Sequence, residues 1–263
     1  MLLKDKVVIV SGIGPGLGVK LAIEAAREGA RGIAIGARTA EKLDDAERRA
    51  REVNPECKVL KVVTDIRDAA QCKRLAQSTQ QQFGRIDGLV NSAYFWGSPS
   101  TAEAADLNSW KDVLATNVLG TMHMTQAVVP AMKAQGGGAI VNISSMATVK
   151  PHTGEVGYAA SKGAMNIASK YLAAELGEHN IRVNVARMGW MLGVPVQSYI
   201  SHAAKAQGVL EKQLYDAVAA NIALRRLVSD TECARAALFL ISDYASGVTG
   251  AILDANGGET FPA

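Results

Sequence analysis

The sequence predicts a single α/β domain built on a parallel sheet of about seven strands, with helices on both faces of the sheet. Two observations lead to this fold class. Short runs rich in Val, Ile and Leu, which are typical of buried parallel strands, alternate with longer stretches whose apolar residues recur at helical spacing. No linker or low-complexity segment interrupts the alternation, so we expect residues 1–263 to form one domain.

The N-terminal half supplies four strands of the predicted sheet. The apolar run at residues 7–10 is the first strand, and Leu17, Leu21 and Ala25 then follow at helical spacing. The further elements expected in this half are strands at residues 33–35, 59–63 and 89–90 and helices at about 40–52 and 68–83, with Thr39 as the cap of the earlier helix.

The C-terminal half continues the alternation with one interruption. A long helical region is expected at about 107–135, where three consecutive glycines stop it. The remaining elements are strands at 140–144, 181–186 and 251–254 and helices at about 158–176 and 232–241. The stretch 190–226 is too long for an ordinary connection, and we interpret it as a helical lid over a substrate.

The composition argues against several classes of function. The 28 Lys and Arg and the 25 Asp and Glu residues are mixed along the chain, so no nucleic-acid partner is expected. Cys57, Cys72 and Cys233 lie far apart, which argues against a disulfide framework and a metal site and fits a reducing compartment. No apolar run has the length of a signal or membrane helix, so we expect a cytoplasmic protein without membrane contact.

A glycine-rich loop directly follows the first predicted strand. Its members are Gly12, Gly14, Gly16, Leu17 and Gly18. Such glycines permit a tight turn and let backbone N–H groups approach a pyrophosphate, which a helix N-terminus attracts. Tight turns alone also use glycine, so it is the position between the first strand and the first helix that favours dinucleotide binding.

The end of the second predicted strand bears on the choice between NAD and NADP. An acidic residue at this point would hold the ribose 2′-OH of NAD, whereas an arginine suits the 2′-phosphate of NADP. The chain has Arg38 and Thr39 here and no acid. We therefore favour NADP over NAD, with Arg38 as a solvent-facing loop residue as the alternative.

Tyr158 and Lys162 are candidate catalytic residues. Residues four positions apart lie on one face of a helix, so the phenol and the ammonium can meet. A cation beside a phenol favours the phenolate and makes it a better base. The pair alone is common on helices, but here it follows a predicted strand that ends in Ser144 and Ser145, at the sheet edge where such folds bind ligands.

Together these motifs resemble the short-chain dehydrogenase/reductase family over nearly the whole chain. The resemblance implies a Rossmann-type fold, a nicotinamide cofactor and reversible hydride transfer between a secondary alcohol and a ketone. It implies a catalytic set of Asn117, Ser145, Tyr158 and Lys162. Ser145 is preferred over Ser144 because it precedes Tyr158 by thirteen positions, as is common in the family.

The resemblance also assigns roles to these residues. Tyr158 would exchange a proton with the substrate, whose oxygen Ser145 would hold. Lys162 would bind the nicotinamide ribose and keep Tyr158 acidic, and Asn117 would anchor a water in a proton relay. Beyond the glycine loop, Arg38, Thr39 and Lys162, the expected cofactor contacts are Asp65, Ile66, Asn91, Ala93 and Gly189.

Aromatic and methionine side chains near these motifs predict an apolar, cyclic substrate such as a steroid-like or terpenoid alcohol. The expected substrate contacts are Tyr94, Trp96, Met146, His152, Trp190 and Met191. The alternative is that several of them only pack the lid against the sheet. The resemblance further implies a homo-oligomer, a tetramer or a dimer, through the helices around residues 118–132 and 159–176.

The chain departs from the family pattern at three positions. Tyr94 stands where the family has a glycine, Met188 where it has a proline, and Gly193 where a threonine often contacts the carboxamide. Two alternatives therefore stay open: a member that binds the cofactor with little activity, and a dehydratase or epimerase on the same fold. Enoyl reduction is disfavoured, because that related group spaces its Tyr and Lys by more than four positions.

Overall fold

A seven-stranded parallel sheet forms the centre of the computed structural model, which describes residues 1–261. The strands are β1 (Val7–Ser11), β2 (Gly32–Ala37), β3 (Lys58–Val63), β4 (Gly88–Asn91), β5 (Gly138–Ser145), β6 (Ile181–Met188) and, after two short strands described below, β9 (Ile252–Ala255). Their order is β3-β2-β1-β4-β5-β6-β9, with every neighbouring pair parallel. The order reverses direction between β1 and β4, where such sheets bind ligands.

Helices cover both faces of the sheet. The helices are α1 (Leu17–Arg27), α2 (Ala40–Val53), α3 (Ala69–Phe83), α4 (Leu107–Leu114), α5 (Thr121–Ala134), α6 (Val156–Leu176), α7 (Val194–Gln207), α8 (Glu211–Ala219) and α9 (Asp230–Ile241). Residues of α1, α2 and α9 share one hydrophobic cluster, and residues of α3, α5 and α6 share a second one on the other face. The domain is therefore doubly wound, as the alternation of elements predicted.

The first strand shows why its sequence is continuously apolar. Val8 and Val10 belong to the cluster under α1, whereas Ile9 belongs to the cluster on the opposite face. All three side chains are fully buried. A strand that is covered on both faces has no solvent-facing position, so the usual alternation of apolar and polar residues is absent.

The seven predicted strands are all present, and their ends differ from the prediction by at most two residues. β5 and β6 extend further than expected because polar residues such as Ser145 and Arg187 continue the ladder beyond the apolar run. Thr39 lies at the N-cap position of α2, but its side chain makes no cap hydrogen bond, so its predicted capping role is wrong. By contrast, Asp68 accepts hydrogen bonds from two backbone N–H groups of α3.

The helical region predicted at 107–135 is continuous but not uniform. A π-helical turn at Ala115–Gly120 separates α4 from α5, and Asn117 lies within this turn. Turns of this kind widen the helix locally and are frequent at functional sites. Pure periodicity of apolar residues does not reveal such a turn, because it inserts only one extra residue per turn.

The stretch predicted as a lid forms a small unit beside the carboxyl ends of the strands. It contains α7 and α8, and its own apolar cluster is centred on Ile200 and Ile222. Two short strands, β7 (Met191–Leu192) and β8 (Val228–Ser229), pair in parallel where the segment leaves and rejoins the main domain. This second sheet was not predicted, because two-residue strands carry too few positions for a pattern.

The sequence argued against a membrane helix, a metal site and a disulfide framework, and residues 1–261 bear on each of these. In that range no helix combines the length and apolarity needed to cross a bilayer. No group of three or more potential metal ligands occurs in the same range. Cys57, Cys72 and Cys233 are buried and unpaired with one another. The arginines of α2 form ion pairs with acidic residues one helical turn away, as expected of a solvated helix face.

Candidate active site

A cleft of about 1150 Å³ opens at the carboxyl ends of the strands. Its walls come from the segments that follow β1, β2, β3, β4, β5 and β6, together with the first part of α7. The predicted site residues that line it are Gly12, Gly14, Gly16, Leu17, Gly18, Arg38, Thr39, Asp65, Ile66, Ala93, Tyr94, Trp96, Ser145, Met146, His152, Tyr158, Lys162, Gly189, Trp190 and Met191. Asn91 and Asn117 are not among its lining residues.

The glycine loop is held in place by close backbone packing. Gly12 has a φ of +104°, and a Cβ there would lie 2.1 Å from the backbone nitrogen of Ala93. A Cβ on Gly18 would lie 2.1 Å from the carbonyl oxygen of Gly12. Gly14 has no such neighbour within 4 Å. Two glycines are thus required by the protein's own packing, and Gly14 leaves space on the side of the cleft.

The same loop fits a phosphate group. No side chain caps the N-terminus of α1, so its first N–H groups are available to a ligand. Helix N-termini of this kind attract anions through both the free N–H groups and the helix dipole. The residues of the loop therefore fit the pyrophosphate of a dinucleotide.

Basic side chains gather where the cleft passes the ends of β2 and β3. Arg38, Lys42 and Arg67 all line this part of the cleft. Arg67 donates to both carboxylate oxygens of Asp65, and this hydrogen bonding holds the pKa of Asp65 below its ordinary value. The charge of Arg38 contributes in the same direction. Lys42 and Arg67 were not predicted as site residues, because neither belongs to a sequence motif.

Ser145 and Tyr158 meet at the floor of the cleft. The Ser145 hydroxyl lowers the pKa of Tyr158, and the backbone N–H of Ala147 donates to Ser145 Oγ over 3.2 Å. Ser144 is also buried, but its hydroxyl has no partner within residues 1–261. Both serines line the cleft, so the choice of Ser145 over Ser144 stays a prediction.

Lys162 lies one helical turn beyond Tyr158 and is buried. Its ammonium lies 5.7 Å from the centroid of the Tyr158 ring and donates to the carbonyl oxygen of Ile143 over 2.8 Å. Burial lowers the pKa of Lys162 to about 8, because removal from water disfavours the charged form. The amine therefore titrates much closer to neutrality than an exposed lysine.

The pKa of Tyr158 moves in the direction opposite to the one predicted. Burial raises it above its ordinary value, and the nearby Tyr94 and Glu155 raise it further. The hydrogen bond from Ser145 lowers it, but by less than burial raises it. Lys162 donates to Ile143 and is not among the groups that shift the Tyr158 pKa, so its predicted role in keeping the phenol acidic stays a prediction.

Asn117 is placed behind the cleft wall. Its side-chain oxygen accepts from the backbone N–H of Phe95 over 2.7 Å, and its amide donates to the Phe95 carbonyl and to Ser161 Oγ, each over 2.9 Å. The side chain thus fixes the path of the chain after β4. Both amide donors are used by these contacts, and the predicted role of Asn117 as the anchor of a relay water stays a prediction.

Asn91 also differs from its predicted role. Its amide donates to Asn142 over 2.9 Å, and Asn142 in turn donates to Ser169 over 2.9 Å. This buried chain of hydrogen bonds joins β4, β5 and α6. We correct the expected cofactor contact accordingly, since the Asn91 side chain points into the protein and acts in packing.

Comparisons with known proteins agree with this arrangement. A family model described as "Enoyl-(Acyl carrier protein) reductase" matches residues 12–260. The chain is 34% identical over 257 residues to a 3alpha-hydroxysteroid dehydrogenase of Mediterraneibacter gnavus, with 98% of both chains covered. The chain belongs to the short-chain dehydrogenase/reductase family.

Solved structures of the family extend the comparison to cofactors. The L-sorbose reductase of Gluconobacter frateurii, complexed with NADPH and L-sorbose, is 30% identical with a TM-score of 0.92, covering 100% of this chain and 99% of that chain. An NAD+-bound xylitol dehydrogenase is 30% identical with a TM-score of 0.89, covering 98% of this chain and 100% of that chain. This dehydrogenase/reductase is therefore an NAD(P)-dependent oxidoreductase of alcohols and ketones.

Tyr94 is the most prominent departure of this dehydrogenase/reductase from the family pattern. Its ring packs edge-on against the Tyr158 ring, with centroids 6.2 Å apart. The Lys162 ammonium lies 5.9 Å from the Tyr94 centroid. A side chain that replaces a family glycine thus covers both members of the Tyr-x-x-x-Lys pair.

The departure at Gly193 has a local cause. A Cβ at this position would lie 2.8 Å from Oδ2 of Asp230, the first residue of α9. The space that a threonine side chain would need is occupied by this carboxylate. A threonine would therefore not fit here unless Asp230 moved.

Aromatic side chains form two walls of the cleft. Phe95 and Trp96 line one side, and both are partly exposed. On the lid side, the rings of Trp190 and Tyr199 pack with centroids 5.5 Å apart. Tyr199 was not predicted, because a tyrosine within an amphipathic helix gives no signal of its own.

Proposed function

We propose that this dehydrogenase/reductase catalyses reversible hydride transfer between NADP(H) and a secondary alcohol or ketone. The observation that carries the proposal is that Ser145, Tyr158 and Lys162 line one cleft together with the glycine loop, with the Lys162 ammonium 5.7 Å from the centroid of the Tyr158 ring. The cofactor, when bound, supplies or accepts the hydride. The protein supplies the proton, the oxygen-binding site and the orientation.

Each catalytic side chain has a distinct task in this proposal. The Ser145 hydroxyl donates to the substrate oxygen and holds it beside the Tyr158 hydroxyl. The raised pKa of Tyr158 keeps the phenol protonated at neutral pH, as a proton donor to a ketone requires. Lys162 is charged at neutral pH, and its position next to Tyr158 suits contact with a ribose hydroxyl.

The preference for NADP rests on the basic residues at the ends of β2 and β3. Arg38, Lys42 and Arg67 line the cleft there, and the neighbouring Asp65 is already paired with Arg67. An arginine can bind a phosphate with two parallel hydrogen bonds. Fluorescence titration with NADPH and NADH tests this: NADPH should bind more tightly, and Arg38→Asp should reverse the order. Tighter NADH binding by the natural sequence would contradict the preference.

The aromatic walls support an apolar cyclic substrate, such as a steroid-like or terpenoid alcohol. Trp96 and Trp190 line the cleft from the segments that follow β4 and β6, and Met146 and Met191 add adaptable apolar surface. Turnover of a panel of cyclic and open-chain alcohols tests this assignment. A preference for open-chain polar alcohols would show that the walls only pack the lid.

Enoyl reduction is the second candidate, because the matching family model carries that description. The four-residue spacing of Tyr158 and Lys162 favours alcohol and ketone chemistry instead. Measurement of NADPH oxidation with a cyclic ketone and with an enoyl thioester distinguishes the two reactions. Turnover of the thioester alone would replace the proposed reaction.

The substitution Tyr158→Phe tests the mechanism itself. It removes one hydroxyl and keeps the ring, so turnover should fall by at least about a hundredfold while NADPH binding is retained. Tyr244→Phe is a matched control, because Tyr244 is exposed and remote from the cleft. Retained activity of Tyr158→Phe would overturn the assignment of the proton donor. Cofactor turnover with no net release of oxidised or reduced product would instead favour a dehydratase or epimerase.

Assembly and location stay predictions of the sequence. We propose a homo-oligomer, a tetramer or a dimer, in which α5 and α6 meet their symmetry copies. The cytoplasmic location expected from the unpaired cysteines is part of the same proposal.

A further inference from the structure

A short turn before α6 brings two polar side chains to the cleft beside Tyr158. The backbone N–H of Glu155 donates to the carbonyl of His152 over 3.4 Å, which closes the turn. The backbone N–H of Ser100 donates to the carbonyl of Gly154 over 3.3 Å and ties the turn to the segment after β4. His152 and Glu155 both line the cleft. Their position is therefore fixed by the backbone rather than left to a free loop.

The Glu155 side chain lines the same cleft as His152 and Tyr158. Burial raises its pKa, and the charge of His152 acts against that rise. The same carboxylate raises the pKa of Tyr158, so its charge reaches the phenol. Within residues 1–261 no side-chain or backbone donor hydrogen-bonds to it. A half-buried acceptor thus faces the reaction site.

His152 supplies a second polar atom without a partner. Its Nε2 is buried, and no hydrogen-bond partner for it occurs in the part of the chain that the structure describes. Buried polar groups are nearly always hydrogen-bonded in folded proteins, so an exception within a ligand cleft points to a ligand atom. His152 was expected to contact the substrate. Glu155, which was not predicted, lies in the same turn.

We propose that His152 and Glu155 form a polar subsite that binds a second hydroxyl of the substrate, on the carbon next to the reacting one. A hydroxyl group can donate to the Glu155 carboxylate and accept from a protonated Nε2 of His152 at the same time. Glu155 is the N-cap residue of α6, and it lines the cleft together with His152 and Tyr158. The substrate class is then a vicinal diol or an α-hydroxy ketone whose remaining carbon framework contacts the aromatic walls.

This inference rests on the proposed function and makes it more specific. A cleft with aromatic walls alone would not distinguish a simple cyclic alcohol from a cyclic diol. An enzyme site built to hydrogen-bond a hydroxyl discriminates strongly against the analogue that lacks it, because its own polar groups are then left unpaired. The subsite therefore predicts a preference that can be measured with small probes.

The test compares cis-1,2-cyclohexanediol with cyclohexanol as substrates in the presence of NADP+. For the natural sequence we expect kcat/KM for the diol to exceed that for cyclohexanol by at least about tenfold. Glu155→Gln keeps the shape of the side chain but removes its charge, and it should bring the ratio close to one. His152→Ala should reduce the ratio as well. Glu175→Gln is the matched control, since Glu175 is an exposed residue of the same helix.

The possible results distinguish failure of the proposed subsite from failure of the proposed reaction. A ratio near one in the natural sequence, or a ratio that Glu155→Gln leaves unchanged, overturns the subsite while the proposed oxidoreduction stands. If neither probe is oxidised, calorimetric titration of both probes into the protein with NADPH decides the question. Tighter binding of the diol that is lost in Glu155→Gln supports the subsite although the proposed reaction has failed. Equal binding of the two probes overturns it.

Discussion

The ammonium of Lys150 and the carboxylate of Glu259 form an ion pair 2.9 Å long between the segments that follow β5 and β9. The Glu259 side chain is 1% exposed, whereas that of Lys150 is 35% exposed. The second oxygen of Glu259 accepts from the backbone N–H of Trp190 over 3.4 Å. One buried carboxylate thereby joins the segments that follow β5, β6 and β9.

Because Glu259 is buried and Lys150 is partly exposed, replacing one partner should cost more unfolding free energy than replacing the other. Lys150→Met leaves the Glu259 carboxylate buried without a cation and should cost about 3 kcal/mol of unfolding free energy. Glu259→Gln keeps the packing and lets Lys150 turn towards water, so we expect a loss of only about 1 kcal/mol. Urea unfolding of the two variants measures the difference. An equal or larger loss for Glu259→Gln would show that the pair is a surface contact.

The buried Lys162 should make stability depend on pH. Its pKa is about 8 in the folded protein and 10.5 ordinarily, so between these values the unfolded chain binds a proton that the folded chain has released. Stability contributed by this residue therefore rises with pH in that window. Below pH 8 the folded state bears the cost of a buried charge.

The substitution Lys162→Met removes this pH dependence. At pH 7 we expect the variant to be more stable than the natural sequence by about 2 kcal/mol, after allowance for the lost hydrogen bond to Ile143. Because the natural sequence gains stability as Lys162 loses its proton, the difference should shrink by about 2 kcal/mol between pH 7 and 9.5. Urea unfolding at both pH values measures it. A difference that is constant with pH would contradict the lowered pKa.

Two glycines of the cofactor loop should respond differently to the same substitution. Gly12→Ala forces a Cβ against the backbone of Ala93 at a positive φ, and we expect it to cost about 3 kcal/mol of stability. Gly14→Ala meets nothing within 4 Å and should leave the unfolding free energy nearly unchanged. Chemical unfolding of both variants checks the contrast. Equal stability would mean that the loop can move away from β4.

Tyr94 should control the access of water to Lys162. Its side chain is 57% exposed, so Tyr94→Gly should change the unfolding free energy by less than about 1 kcal/mol. Removal of the ring lets water reach the ammonium, and the pKa of Lys162 should rise from about 8 towards its ordinary value. The pH dependence of the labelling of Lys162 by an amine-reactive reagent, read by mass spectrometry, reports this rise. Tyr94→Phe keeps the ring and is the control; the same rise in that variant would assign the effect to the hydroxyl.

Local patterns in the sequence predict the sheet and the Ser145–Tyr158–Lys162 group, because the strands are continuous apolar runs and the group has a fixed spacing. The same patterns do not show Glu155 or Glu259. These two carboxylates acquire their surroundings from segments distant in sequence, Glu155 from the turn against Ser100 and Glu259 from Lys150. Asn117 and Asn91 were found at the right places in the fold, but the direction of their side chains depends on tertiary hydrogen bonds that spacing cannot specify.

The outer face of α6 offers a test of the proposed assembly. Ile167 and Tyr171 lie four positions apart on this helix and are 56% and 68% exposed. Apolar side chains at this spacing on one face favour contact with another surface, and a two-fold axis would bring the same face of a second copy against them. Ile167→Asp should place a charge in that contact and shift the sedimentation coefficient towards the monomer, whereas Tyr244→Asp, at an exposed site on another part of the surface, should not. An unchanged sedimentation coefficient for Ile167→Asp would remove α6 from the interface, and a monomeric natural protein would contradict the proposed oligomer.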